Sequence, residues 1–219
     1  MARCSAFTII EIVVATGIVL VLFGLLAPVV AASRESSVQA RRLAHVRSLA
    51  MAVSGYAGDQ RDRYPATGLH VGDGMLEWFR PMIATGQFAS EGEIDAEGLG
   101  ACGSVTYALS GCVLADPGVM RRGATLPIDL TPVRGARQAD VAFAAAKGLL
   151  VKWLHVDEGR HVFWTYEPWL APRSPVAMAD GSAVAARCTD FVGPAEAVLE
   201  HWVGHPVLST WGGLLGRDR

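Results

Sequence analysis

The chain has 219 residues, 51% of them apolar, with 19 basic and 21 acidic side chains and a formal charge of −2. That length suits one domain with an appendage, or two small domains, and is enough to bury a core. The near-neutral balance leaves no basic footprint for nucleic acid, and no nucleic-acid partner is expected.

The apolar residues are concentrated at the start. Residues 12–32 carry no charge and one polar side chain, Thr16. A helix of this length measures roughly 31 Å at ~1.5 Å per residue, the thickness of a bilayer's hydrocarbon core. Apolarity on every face argues for a membrane span over a core helix. The rival is a cleaved secretory signal, with Arg3 as its charged region and Val30-Ala31-Ala32-Ser33 as its cleavage site. Against it, the run exceeds an ordinary signal core, and Glu11 stands where such a core tolerates charge poorly. An ionised carboxylate inside a span costs roughly 2–3 kcal/mol. Glu11 is therefore a functional candidate, its bland alternative being a side chain that snorkels to the interface.

The residues around Glu11 carry a family resemblance. Ala6-Phe7-Thr8-Ile9-Ile10-Glu11, preceded by a short basic leader and followed by the apolar helix, resembles the start of type IV prepilins and type II secretion pseudopilins, with Ala6 where the family usually has Gly. The resemblance implies cleavage by prepilin peptidase between Ala6 and Phe7 and N-methylation of Phe7. Counting from Phe7, Glu11 is the fifth residue, where the family keeps its carboxylate, and Pro28 the twenty-second, where many pilins have a helix-kinking proline. It further implies that Glu11 meets the new amine of a neighbouring subunit during assembly, and that the partners are other pilin-like subunits in the inner membrane. Charge alone points the other way on topology. Arg34, Arg41, Arg42 and Arg47 follow the span and only Arg3 precedes it, which by the positive-inside rule places the C-terminal part in the cytoplasm. The resemblance implies an extracytoplasmic head.

Past the span, residues 33–57 are expected to continue the helix, with Leu43, Val46, Ala50, Val53 and Ala57 forming its apolar stripe and Arg41, Arg42, His45 and Arg47 mostly elsewhere. Gly55 and Gly58 weaken its last turn and Tyr64-Pro65 lies beyond it. Leu43-Ala44-His45 through Tyr64-Pro65 is similar to a subgroup of pilin-like proteins, prepilin-type and processing-associated, that ends in a His…Asp-Gly element. Asp180-Gly181-Ser182 matches the Asp-Gly part, with no His at the usual distance before it, and Thr106-Tyr107-Ala108-Leu109-Ser110 is similar to one of its strands.

Trp78, Phe79, Met82 and Ile83 suggest a short helix, residues 87–103 a loop, and residues 105–109 a strand. Residues 140–156 read either way: Val141-Ala142-Phe143 favours strand, the alanines helix. His161-Val162-Phe163-Trp164-Thr165-Tyr166 has strand composition. Residues 176–179 and 182–187 form a hairpin about a two-residue Asp180-Gly181 turn. After Gly193-Pro194, the residues Ala195, Val198, Leu199 and Trp202 suggest a short helix. The class is α+β: leader 1–6, transmembrane helix 7–32, amphipathic continuation 33–57, and a globular head over 58–219 with a small antiparallel sheet.

No constellation supports catalysis, and the chain is read as a non-enzyme without cofactor. His155, Asp157, Glu158 and His161 have ligand-like spacing but read better as a solvated hairpin turn. His201 and His205 straddle an expected helix end. Asp180, Ser182 and Asp190 offer oxygen ligands without a calcium-loop spacing, so no metal is expected. With Cys4 in the leader, Cys102 and Cys112 can close a disulfide loop and leave Cys188 free. The six tryptophans read as core or as an interaction surface. The alternative function is an N-terminally anchored extracytoplasmic binding or enzymatic domain with no role in a fibre.

Overall fold

The computed structural model describes residues 9–94, 106–115, 133–152, 154–157, 160–163, 173–192, 207, 210 and 213–219. The chain divides into two units, Met1–Arg41 and Arg42–Arg219.

Helix α1 runs through Ile9–Asp59. In the first unit its residues 9–37 are exposed, among them Ile12, Leu20, Phe23 and Leu25. This is one helix long and apolar enough to cross a membrane. Within the second unit α1 turns amphipathic. Val46, Leu49, Ala50, Val53 and Ala57 are buried at spacings of three and four, the side of a helix that faces a core. Leu49 joins the expected stripe, while Leu43 is only half-buried. Burying side chains of the size of Val46, Leu49 and Val53 stabilises by about 1.5–3 kcal/mol each. The helix passes both Gly55 and Gly58 and stops at Asp59; Arg61 and Asp62 follow with φ of 56° and 67°, and the Asp62 N–H donates to the Ala57 carbonyl at 2.7 Å.

The expected short helix is two: α2, Val71–Glu77, and α3, Arg80–Ala84, with Trp78 and Phe79 buried between them. Trp78 and Phe79 keep right-handed helical dihedrals, and the ladder breaks between the helices because Pro81, in the first turn of α3, has no N–H to donate to the Glu77 carbonyl. The Trp78 ring makes edge contacts with Phe79 and Phe88, and its Nε1–H donates to the Tyr107 carbonyl at 3.0 Å. The expected loop is not all surface: Phe88 and Ile94 are buried, the latter fully.

Four strands form an antiparallel sheet in the order β1-β2-β5-β6: β1 Tyr107–Leu109, β2 Gly148–Lys152, β5 Ser174–Met178 and β6 Ala183–Ala186. The inner strands β2 and β5 are buried throughout, which is why β2 reads as a continuous apolar run, Leu149-Leu150-Val151. Two further strands, β3 Leu154–Asp157 and β4 Arg160–Phe163, pair with each other in a separate ribbon. The ambiguity over residues 140–156 resolves into single 3₁₀ turns at Gln138–Asp140 and Ala144–Ala146, then strand from Gly148.

The β5–β6 connection differs from the two-residue turn expected. The Gly181 N–H donates to the Met178 carbonyl at 3.0 Å, the Met178 N–H to the Ser182 carbonyl at 2.8 Å, and Gly181 has φ of 83°. This is a three-residue loop with glycine in the left-handed bulge position. The Asp180 carboxylate accepts from the Ser182 N–H at 2.9 Å, stabilising that loop over a tighter turn.

Candidate functional site

Glu11 lies in the first turn of α1, with apolar neighbours exposed above and below it. Acidic charge near a helix N-terminus is favoured by the helix dipole. The one hydroxyl of residues 12–32, Thr16 Oγ1, donates to the Ile12 carbonyl at 2.7 Å, so it presents no unpaired donor to an apolar surrounding. Pro28 sits inside α1 and, lacking an N–H, leaves the Gly24 carbonyl without its usual helical donor. Ala6 and Phe7 lie outside the described residues.

Other candidates scatter. Asp180 serves the hairpin loop; Asp190 accepts from the Arg187 N–H at 2.9 Å within the 3₁₀ turn Cys188–Asp190. Each carboxylate is thus committed locally. In the β3–β4 register His155 pairs with Val162, Val156 with His161 and Asp157 with Arg160; Glu158, in the turn expected there, lies outside the described residues. Among the described residues no three His, Cys, Asp or Glu side chains gather to hold a metal. Cys112 and Cys188 are buried free thiols, and burial pushes the Cys188 thiol well above its ordinary range. Cys112 Sγ accepts from the Thr210 N–H at 3.3 Å. Cys102, the expected partner of Cys112, lies outside the described residues, as do His201, His205 and the helix expected over Ala195, Val198, Leu199 and Trp202. Trp78 is core; Trp164, Trp169, Trp202 and Trp211 are outside the described residues.

His45, expected away from the apolar stripe, is half-buried: its Nε2 is 3.0 Å from the Ile94 carbonyl, and its ring meets Tyr107 edge-on at 5.4 Å.

A buried ion pair escaped sequence reasoning. Lys147 Nζ lies 3.2 Å from Asp218 Oδ1, and both side chains are fully buried. The Asp218 carboxylate also accepts from the Gly148 N–H at 2.6 Å and from the Thr210 hydroxyl. The backbone of Asp218 is tied as well, donating to the Ala146 carbonyl and accepting from the Val192 N–H. Burial pushes the carboxyl up, opposed by the Lys147 ammonium, the Thr210 hydroxyl and the Gly148 N–H. Asp218 stands in Arg217-Asp218-Arg219, which reads as a solvated tail; no local signal marks it as core.

No family model, curated protein or solved structure matches this chain.

Proposed function

We propose that the protein is a pilin-like subunit, cut by prepilin peptidase after Ala6 and assembled through α1 into a type II secretion pseudopilus or a type IV pilus-like fibre. One observation carries the reading: a continuous 51-residue helix that is bare and apolar in its first half, apart from Glu11 at its start, and core-forming in its last turns. An ordinary anchor needs only the apolar segment. A carboxylate in the first turn and a proline near the end of the span add nothing to anchoring and fit a helix built to pack against copies of itself.

In this reading cleavage frees the Phe7 amine, and the Glu11 carboxylate of one subunit neutralises it on the next. The pairing offsets the desolvation of both charges in lipid and sets the axial register of neighbouring helices. The head lies outside the cytoplasmic membrane and provides lateral contacts.

The test is the mature N-terminus of the membrane-extracted protein, made with and without prepilin peptidase. The expected end is Phe7, methylated, and only when the peptidase is present. An end near Ser33 would establish a secretory signal, and an intact Met1 a plain anchor; either result rejects the proposal.

A further inference from the structure

Past its apolar segment, α1 carries arginine on an open face. Residues 12–58 contain four arginines, Arg34, Arg41, Arg42 and Arg47, against one carboxylate, Glu35. Arg34 and Arg41 belong to the same unit as the apolar segment, and both are exposed. Among the described residues no carboxylate pairs with either guanidinium. A separation of seven brings the two within ~20° of one helix face. Ser37 stands between them on that face, small and exposed. Glu35 is turned ~100° from Arg34, and its Oε1 accepts from the Gln39 Nε2 at 3.2 Å. The one acid is thus held off the arginine face.

Height along the helix selects the partner. With residues 12–32 filling the hydrocarbon core, Arg34 leaves the helix ~3 Å past its edge, inside a headgroup layer roughly 5–7 Å thick. Arg41 stands ~10 Å further along. Long side chains on a helix lean toward its N-terminus and cover the turn before their own Cα. In α1 that direction is toward the bilayer, so Arg41 covers a zone ~8 Å from the hydrocarbon edge. This is the outer rim of the headgroups, well within the ~8 Å screening length of their charge at physiological ionic strength.

We propose that Arg34 and Arg41 form a docking face for anionic phospholipid headgroups, which α1 gathers where it leaves the membrane. Guanidinium forks match phosphate oxygens in pairs. A zwitterionic headgroup carries the same phosphate beside its own cation, so the face prefers lipids of net negative charge, such as phosphatidylglycerol. The inference rests on α1 crossing a bilayer, and not on cleavage after Ala6 or on assembly into a fibre.

The test places the full chain in bilayer discs of three parts phosphatidylcholine to one part phosphatidylglycerol. Trace spin-labelled phosphatidylglycerol or phosphatidylcholine reports, by electron paramagnetic resonance, how much of each lipid the protein immobilises. Wild type is expected to hold phosphatidylglycerol in preference to phosphatidylcholine. Arg34→Gln and Arg41→Gln are each expected to cut that preference about threefold to fivefold, and the double variant to erase it. High salt is expected to erase it as well, since the screening length falls to ~3 Å at 1 M. Arg80→Gln removes the same charge from the exposed pair with Glu77 and is expected to change nothing. Both arginines of the face are exposed, so their loss is expected to leave the urea midpoint unchanged, which separates lost lipid binding from lost folding. Equal immobilisation of the two lipids, a preference that survives the double variant, an equal loss in Arg80→Gln, or a chain that does not enter the discs overturns the proposal. The mature N-terminus decides the fibre reading separately.

Discussion

Replacing Asp218 by Asn should be among the most damaging conservative changes in the protein. The carboxylate is fully buried and meets three donors: the Lys147 ammonium, the Gly148 N–H and the Thr210 hydroxyl. Asn keeps the shape and one acceptor oxygen, but its amide places donors where donors already stand. It also leaves a buried ammonium without its counter-charge, which costs about 3–5 kcal/mol. Against a total stability of about 5–15 kcal/mol, that is a fifth of the whole or more. In urea unfolding followed by tryptophan fluorescence, a slope of about 2 kcal/mol per molar converts this into a midpoint lower by roughly 2 M. The double variant Lys147→Met, Asp218→Leu removes both charges and should recover at least half of the loss, since buried pairs are often replaceable by apolar residues at little cost. A midpoint shift under about 0.5 M, or a double variant as unstable as the single one, would refute the unpaired-charge argument.

Other outcomes follow from neighbouring geometry. At Gly148 an added Cβ would stand 2.5 Å from Val207 Cγ1 and 3.3 Å from Asp218 Oδ2, so Gly148→Ala should cost about 1–3 kcal/mol by overpacking; a change under a few tenths in the same urea assay would show that the Val207 side yields. Tyr64 is buried with a hydroxyl that has no hydrogen-bond partner, and burial, then the Asp62 charge, raises its pKa. Tyr64→Phe should therefore leave stability unchanged or raise it by about 1 kcal/mol, and a loss above that in thermal melting would mean the hydroxyl is satisfied in solution. Glu11→Val should leave membrane insertion and cleavage intact while abolishing incorporation into fibres, scored by co-assembly with tagged wild-type subunits; unimpaired incorporation would remove the pairing role.

Several elements were legible because their signal is local. The helix from Ile9 onward follows from uninterrupted apolarity, and its buried stripe from residues repeating at three and four. The strand pairing about Asp180-Gly181 follows from turn chemistry, although the loop is one residue longer because the Asp180 carboxylate binds the Ser182 N–H. Residues 140–156 were illegible by period because Val141-Ala142-Phe143 favours strand and the alanines helix; strand pairing between Gly148–Lys152 and its neighbours on both sides decided them.

The sequence by itself determined the features that depend on nearest neighbours: the exposed apolar helix, the placement of Glu11 and Pro28 within it, and most of the core stripe expected from Leu43 to Ala57, of which Leu43 is only half-buried. Tertiary structure alone decided what depends on residues far apart in the chain. It set His45 on Tyr107, Arg63 opposite Arg137, and Lys147 on Asp218, 71 residues away. A charge pair has no period and no composition. Its partners become visible only when folding removes both from water and leaves each the other's counter-charge.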